Sequence, residues 1–272
     1  MKRSEINRAL RELEAMVAEY RFSLPPFCRF TPEEWADKGH EYDEIRHNML
    51  GWDITDYGLG RFDQVGFSLI TLRNGNLAMA DKYPKTYAEK LLFLKEGQYS
   101  PNHFHWHKME DIINRGGGTL LIRVYNSLPD EEIDRESDVT VHMDGVTRTV
   151  PAGTQLRLEP GMSISIQPRL YHDFEVEEGT GPVLLGEVSR APAISSSVRS
   201  ASATTTTPTT ALTRRWAASP PSRRMSHPTA CCATSIRRPK HERPVRYRGA
   251  GGAADRLYRQ RRVPWRHAAF RA

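Results

Sequence analysis

Hydrophobic positions recur with two different periods along the chain, and the change falls near residue 65. In the first segment, apolar side chains recur at three- and four-residue steps, at Ile6, Leu10, Leu13, Val17 and Tyr20. This pattern predicts a helix over residues 4–20, with Ser4 as its N-cap. A second helix is predicted at Thr31-Pro32-Glu33-Glu34, because threonine caps a helix, proline fits its first position and glutamate its third. A third short helix is predicted over residues 42–50.

From residue 65 onward, short β-rich segments alternate with turns rich in glycine, proline and asparagine. Strands are predicted over residues 65–72, 87–94, 119–125, 139–143, 146–150, 154–158, 162–166, 171–176 and 182–188. Asp144-Gly145 predicts a two-residue hairpin. Many short strands at even spacing are typical of a sandwich or jelly-roll barrel. We therefore expect a mainly β fold, with residues 65–190 forming a barrel and residues 1–64 forming a helical segment packed on it.

The segment of residues 100–111 concentrates side chains that bind metals. Alternate side chains of a strand share a face, so His103, His105 and His107 are expected to point one way, and Phe104 and Trp106 the other. Two imidazoles on one face of a strand can share a metal ion. His107 is either a residue behind the ligands or a polar exposed residue, and the pattern favours the exposed interpretation.

Two further ligands complete a predicted metal site. Glu110 follows His105 by five residues and can return to it where the chain bends into the next strand. His172 stands at the start of a later predicted strand, after Pro168. Three imidazoles and one carboxylate suit a divalent first-row ion with open positions for water or substrate.

These residues also carry a resemblance to known families. His103-x-His105-x-x-x-x-Glu110, followed by Pro168-x-x-x-His172, resembles the two metal motifs of the cupin superfamily. That superfamily usually has a glycine within the second motif, where this chain has Arg169-Leu170. More narrowly, residues 1–189 resemble bacterial D-lyxose isomerases in the stretches Lys2-Arg3-Ser4-Glu5-Ile6-Asn7, Thr71-Leu72-Arg73-Asn74-Gly75-Asn76, Tyr87-Ala88-Glu89-Lys90-Leu91-Leu92, His103 through Gly118 and Gly186-Glu187-Val188-Ser189.

The resemblance implies a fold, a reaction and a set of partners. The implied fold is a cupin-type double-stranded β-helix (jelly-roll) barrel with N-terminal α-helices. The implied activity is a Mn²⁺-dependent aldose–ketose isomerase of carbohydrate metabolism, acting on D-lyxose and D-mannose as a homodimer. In the family an acidic C-terminal segment closes over the barrel and contributes a proton-transferring carboxylate.

Aldose–ketose isomerisation moves a proton from C2 to C1, so the site needs a group that stabilises the developing oxyanion and a base. Lys108, between the predicted ligands, is the candidate catalytic residue, because it could contact substrate oxygens or shuttle a proton; the alternative is a surface lysine. Glu187 is either a base or an ordinary strand carboxylate, and the sequence favours the second interpretation. The same ligand set could hold Fe(II) in a dioxygenase, or bind a small polar ligand without turnover.

The net charge of +6 is the sum over two segments of opposite charge. Residues 191–272 contain 16 arginines and one lysine but two acidic residues, so their formal charge is +15 and that of residues 1–190 is −9. The tail is rich in Ser, Thr, Pro, Arg and Ala without periodicity, which predicts disorder. A basic tail can contact phosphate backbones, yet the acidic remainder does not favour nucleic acid as a selected partner.

The tail also resembles an out-of-frame translation. Residues 206–211, 222–226 and 230–236 can be encoded by DNA that in a neighbouring frame encodes Asp-Asn-Thr-Asp-Asn-Arg, Ile-Glu-Glu-Asp-Glu and Leu-Leu-Cys-Asn-Glu-Tyr. These patterns are typical of the D-lyxose isomerase C-terminus, in that order. We therefore interpret the chain from about residue 190 as frameshifted.

The remaining composition narrows the class of protein. No apolar run reaches the roughly 20 residues of a membrane span. The N-terminus leads into an amphipathic pattern and not an apolar signal core. Three cysteines cannot form a disulfide framework. We therefore expect a cytoplasmic protein without a membrane partner.

Overall fold

The computed structural model describes residues 1–190 and 198–200. Within that part the chain forms three α-helices and fourteen β-strands. The helices are α1 (Arg3–Glu19), α2 (Pro32–Ala36) and α3 (Asp43–His47). The strands are β1 (Gly51–Thr55), β2 (Phe67–Arg73), β3 (Tyr87–Leu94), β4 (Tyr99–His105), β5 (Glu110–Gly117), β6 (Leu120–Ser127), β7 (Ile133–Asp134), β8 (Val139–Met143), β9 (Val146–Val150), β10 (Gln155–Leu158), β11 (Ser163–Ile166), β12 (Tyr171–Val176), β13 (Val183–Arg190) and β14 (Val198–Ser200). The disorder and the frameshift expected for residues 191–272 concern residues that, apart from the backbone of β14, lie outside this description.

Two antiparallel sheets build the barrel. The larger has the strand order β1-β2-β3-β13-β5-β11-β8-β9, and the smaller has the order β10-β6-β12-β4-β14, with β7 paired to β6. Side chains from both sheets meet in one core that includes Leu92, Leu94, Ile112 and Leu185 from the larger sheet and Ile122, Val124 and Phe174 from the smaller. The structure therefore confirms the predicted mainly β, cupin-like barrel with N-terminal helices.

Helix α1 covers the outer face of the larger sheet. Leu13, Met16 and Val17 pack in a second apolar cluster with residues such as Ile70 and Leu91, whose side chains point away from the barrel interior. The period of the sequence predicted this helix and its buried face. Among the described residues no helix is long and apolar enough to cross a membrane.

The predicted cap of α1 is wrong. The N-cap is Lys2, and Ser4 lies inside the first turn. The carboxylate of Glu5 accepts a hydrogen bond from the backbone N–H of Lys2, which completes the capping arrangement two residues earlier than expected. At α2, by contrast, the hydroxyl of Thr31 accepts from the Glu34 N–H and the Glu34 carboxylate accepts from the Thr31 N–H, as predicted.

Strand β1 was not predicted. It follows α3 directly, and all five of its residues pair with β2, with Gly51 opposite Thr71 and Thr55 opposite Phe67. Its sequence, Gly-Trp-Asp-Ile-Thr, is short and carries a central aspartate, so it lacks the continuous β-rich character of the other strands. Residues 51–55, within the segment expected to be helical, therefore form an edge strand of the larger sheet.

Two turns depend on left-handed backbone conformations. Asp144 and Gly145 have φ values of 49° and 79°, which confirms the predicted hairpin between β8 and β9. Gly117, at the end of β5, has a φ of 95°, and a Cβ there would lie 2.1 Å from the carbonyl oxygen of Pro182. The glycine run Gly116-Gly117-Gly118 is therefore a tight connection between β5 and β6.

Candidate metal centre

Three histidines from two paired strands face one another inside the barrel. His103 and His105 lie on β4, and His172 lies on β12, directly opposite His103 in the antiparallel register. The ring centroids of His103 and His172 are 4.3 Å apart. One nitrogen from each of the three rings lies within 4.8 Å of the other two, and all three side chains are buried. The strand pairing thus brings together residues that are about seventy positions apart in sequence.

Backbone carbonyls fix the orientation of two of these rings. Nδ1 of His103 donates to the carbonyl oxygen of Pro101 at 2.7 Å, and Nδ1 of His172 donates to that of Leu170 at 3.0 Å. A ring whose Nδ1 carries the proton presents Nε2 as an unprotonated lone pair. Nε2 of His172 is buried and lies 3.2 Å from Oε1 of Glu110. Two unprotonated acceptors this close leave their lone pairs unsatisfied, so this nitrogen is aimed as a metal ligand would be.

Glu110 brings a carboxylate to the same place from β5. Its Oε1 lies 3.2 Å from Nε2 of His172 and 3.5 Å from Nε2 of His105. The side chain is buried, with 3% of it exposed. The four residues predicted as ligands are therefore gathered at one point.

A chain of alternating charges continues from Glu110 across the barrel interior. The ammonium of Lys108 contacts Oε2 of Glu110 and lies 2.7 Å from Oε1 of Glu187. The same Glu187 oxygen accepts from Lys90 at 3.0 Å and from the Ser189 hydroxyl at 3.0 Å. Lys108 is thus buried between two carboxylates and does not lie on the surface.

The protonation states suit metal binding. Burial and the neighbouring imidazoles of His172 and His105 lower the pKa of His103 well below its usual value. Burial and the charge of Lys108 lower the pKa of His105. Burial by itself raises the pKa of Glu110, but the charge of Lys108 and the His105 imidazole together hold it well below its ordinary value. Neutral imidazoles and an ionised carboxylate are the forms that coordinate a divalent metal. The residues present therefore fit such an ion.

The charges around Lys108 keep both of its carboxylate neighbours ionised. Burial acts to lower the pKa of Lys108, yet the charges of Glu110 and Glu187 raise it above its usual value. Burial raises the pKa of Glu187, while Lys108 and Lys90 lower it more strongly, to about 2. At neutral pH the cluster therefore contains an ammonium beside two carboxylates.

Against the prediction from the alternating pattern, His107 does not share the strand face of His103 and His105. Strand β4 ends at His105, and the side chain of His107 beyond it is exposed. The pattern had favoured this exposed position over one behind the ligands. Phe104 and Trp106 do lie on the opposite side, with ring centroids 4.9 Å apart.

Residues without a motif complete the surroundings of the centre. Glu187, which the sequence favoured as an ordinary strand carboxylate, is the second carboxylate bound by Lys108. Tyr57 lies beside the histidines, with its ring 6.4 Å from that of His103 and its hydroxyl 2.6 Å from the Ser100 hydroxyl. The spacing Lys108-x-Glu110 and the glutamate after Gly186 were visible in sequence, but no local signal pointed to Lys90 or Tyr57.

Comparison with known proteins gives a consistent result. The family model described as D-lyxose isomerase matches residues 1–195. A D-lyxose/D-mannose isomerase of Escherichia coli O157:H7 is 45% identical over 190 residues, which are 70% of this chain and 83% of the relative. The corresponding enzyme of Serratia proteamaculans is 44% identical over 70% of this chain and 82% of its own length.

Among solved structures, the L-ribose isomerase of Acinetobacter sp. DL28 in complex with L-ribose aligns with a TM-score of 0.46 and 13% identity, over 70% of this chain and 82% of that one. The extent of the family match and the identity to the two bacterial relatives decide the assignment. This chain belongs to the D-lyxose isomerase family.

Proposed function

We propose that this protein is a metal-dependent aldose–ketose isomerase that interconverts D-lyxose with D-xylulose and D-mannose with D-fructose. One observation carries the proposal. Lys108 is buried beside the three histidines, where its ammonium contacts Glu110 of the proposed ligand set and also pairs with Glu187. The family membership and the relatives at 44–45% identity, which are D-lyxose/D-mannose isomerases, agree with it.

The residues proposed to hold the metal are His103, His105, Glu110 and His172. When bound there, a divalent ion would act as a Lewis acid and hold two neighbouring sugar oxygens. The protein's contribution is a buried ligand set in which the pKa values of His103 and His105 are lowered and the rings of His103 and His172 are oriented by the carbonyl oxygens behind them.

Lys108 is the proposed catalytic residue. Its raised pKa keeps it an ammonium, so it is suited to stabilising negative charge that develops on a sugar oxygen and not to accepting a proton. Of the two, Glu187 is the residue with an unprotonated oxygen, so it is the candidate to accept the C2 proton and return it at C1, although the charges of Lys108 and Lys90 make it a weak base. The two residues thus divide the electrostatic and proton-transfer roles that the reaction requires.

Finer features are also proposed. Mn²⁺ as the resident ion and a homodimer as the assembly come from the family resemblance. The cytoplasm as the compartment and the division into residues 1–64, 65–190 and 191–272 come from the composition and hydrophobic pattern of the sequence. Metal analysis of the purified protein and light scattering during size-exclusion chromatography test the first two.

The proposed function is tested by one paired assay on the full chain. The protein is stripped with a chelator, reloaded with Mn²⁺, Co²⁺ or Fe²⁺, and supplied with D-lyxose under anaerobic conditions. We expect metal-dependent formation of D-xylulose. Oxygen consumption in air without sugar conversion would favour a dioxygenase, and metal retention without either reaction would favour a sugar-binding protein.

A matched pair of histidine variants locates the activity. His172→Gln should abolish conversion and weaken metal binding by more than the roughly 10- to 100-fold that residues behind the ligands contribute. His107→Gln should leave both unchanged, because that side chain is exposed beyond the end of β4. Equal activity in the two variants would contradict the proposed centre.

A further inference from the structure

The face of the smaller sheet opposite the histidines carries an aromatic cluster. Phe104 is fully buried and meets Tyr171 edge-on, with ring centroids 4.8 Å apart at 90°. Phe104 stands between His103 and His105 in sequence, and Tyr171 directly precedes His172. Because neighbouring side chains of a strand point to opposite faces, the packing of this cluster constrains where the imidazoles point.

Arg169 contacts this cluster and β4, and it lies two residues before the start of β12 in a rarely used backbone conformation. Its φ is 66°, at the position within the second motif where the cupin resemblance leads one to expect glycine. Its backbone N–H donates to the carbonyl oxygen of His105 at 2.7 Å. Its guanidinium lies 5.4 Å from the centroid of the Phe104 ring and donates to the carbonyl oxygen of Leu128 at 3.2 Å.

Glu131 reaches the same cluster from the loop between β6 and β7. Its φ is also left-handed, at 71°. Its Oε1 accepts from the indole N–H of Trp106 at 2.7 Å and lies 3.7 Å from the Arg169 guanidinium. Its carbonyl oxygen accepts from the Tyr171 hydroxyl at 2.7 Å. Glu131 thus contacts side chains that follow β4 and begin β12.

Two left-handed residues other than glycine or asparagine, in contact with each other, are unusual. Such conformations cost free energy and persist only where the surroundings fix them, most often at functional sites. Here Arg169 contacts Phe104 and His105 of β4, while Glu131 contacts Tyr171 of β12 and Trp106 just beyond the end of β4. The pair lies outside the barrel interior, so it touches neither the proposed ligands' ring nitrogens nor the space between them.

We propose that Arg169 and Glu131 are positioning residues, which lock β4 against β12 from the outer face and so set the spacing of the three histidines. The proposal rests on the proposed function, because it concerns the same metal ion. A pair that only stabilised the fold would affect unfolding, whereas a positioning pair also affects metal affinity and ligand geometry.

Metal-free full-length protein titrated with Co²⁺ distinguishes these roles, because the visible bands of Co²⁺ report its coordination geometry. Arg169→Gly keeps the backbone N–H that binds His105, relieves the left-handed strain and removes the guanidinium. We expect it to weaken Co²⁺ binding about tenfold or more and to shift the bands, with a urea midpoint close to that of the unaltered protein. Glu131→Ala should behave in the same way, and Glu131→Gln should restore most of the affinity because an amide oxygen still accepts from Trp106.

Arg157→Ala is the matched control. Arg157 is an exposed arginine on β10 of the smaller sheet, and its guanidinium pairs with Glu177 and not with any residue near the histidines. It should bind Co²⁺ with the affinity and spectrum of the unaltered protein. If Arg169→Gly does not fold, Trp106→Phe tests the same link, since it removes the donor to Glu131 and keeps an aromatic ring beside Phe104.

The outcomes separate the two proposals. If Arg169→Gly and Glu131→Ala lower the urea midpoint but bind Co²⁺ with unaltered affinity and spectrum, the positioning role is overturned while the proposed function stands. The same holds if Trp106→Phe, used in place of a variant that does not fold, binds normally. If the unaltered protein binds no Co²⁺ and converts no D-lyxose, both proposals are overturned together.

Discussion

At the scale of single residues, Lys108 is the cation that keeps two buried carboxylates in one small volume. It contacts Glu110 and lies 2.7 Å from Glu187, and 8% of its side chain is exposed. Without it, two like charges would face each other with little solvent, which raises the pKa of at least one of them. A neutral side chain of similar length at this position should therefore disturb both charge stabilisation and proton transfer.

The predicted consequence is a large loss of turnover in Lys108→Met. We expect kcat/KM for D-lyxose to fall at least about 100-fold, the usual contribution of a positioned charged or proton-transferring group. Lys95→Met is the matched control, because Lys95 pairs with Glu12 and Asp63 on the outer surface. Steady-state kinetics of both variants, reloaded with Mn²⁺, decide the matter; a Lys108→Met enzyme within about threefold of the unaltered one would refute the catalytic assignment.

Asp53 makes the stability of the fold depend on pH. Burial raises its pKa to about 6, against the opposing effects of the hydrogen bond from the Ile54 N–H and the charge of Lys90. In the unfolded chain an aspartate has a pKa of about 3.9, so the folded state binds this proton more tightly. The Asp53 contribution to stability is therefore present below about pH 4 and is lost as the pH rises to about 6.

Asp53→Asn should remove this dependence. We expect the free energy of unfolding at pH 7.5 to rise by about 1–2 kcal/mol, a value reduced because the side chain is only partly buried in the barrel. Urea unfolding of chelator-treated protein from pH 4 to 8 measures the slope. The exposed Asp37→Asn should keep the slope of the unaltered protein, and an unchanged slope in Asp53→Asn would show that this carboxyl is not responsible.

At the scale of elements, α1 stabilises the barrel from outside while the ligands lie inside it. Leu13 is fully buried between the helix and the larger sheet. Leu13→Ala should lower the free energy of unfolding by about 2–5 kcal/mol, the usual cost of such a cavity. Arg11→Ala, on the exposed side of the same helix, should change it by no more than about 0.5 kcal/mol. Because α1 does not touch the centre, Co²⁺ affinity under native conditions should be the same in both; a coupled loss of affinity would contradict this separation.

The elements also show what the sequence could predict and what it could not. The proposed metal ligands lie in short motifs whose residue types and spacing carry their chemistry, so His103, His105, Glu110 and His172 could be predicted before any strand was paired. Lys90 reaches Glu187 only because β3 lies beside β13, a contact between residues 97 positions apart. Strand β1 exists because β2 offers a free edge, and its own five residues carry too little β-character to show it. Contacts that depend on which strands pair could therefore not be predicted from the sequence patterns.

At the scale of the whole molecule, every residue proposed to bind metal or substrate precedes residue 190, whereas the composition changes completely after it. The family match ends at residue 195, close to that change. If the chain is out of frame from about residue 190, metal binding and sugar turnover should be separable. The residues proposed to hold the ion are intact, whereas the acidic C-terminal segment that the family resemblance implies is replaced by a segment of charge +15.

Resequencing the gene across codons 185–205 should therefore reveal a shift of the reading frame, and independent DNA reads that show one intact frame would refute it. A frame-restored protein should bind Mn²⁺ with the affinity of this chain but isomerise D-lyxose with a higher kcat, since the family resemblance implies that the C-terminal segment supplies a proton-transferring carboxylate and not a metal ligand. Equal kcat in the two proteins would mean that Lys108 and Glu187 suffice for proton transfer. A higher affinity for Mn²⁺ in the restored protein would mean that the segment acts on the metal centre itself.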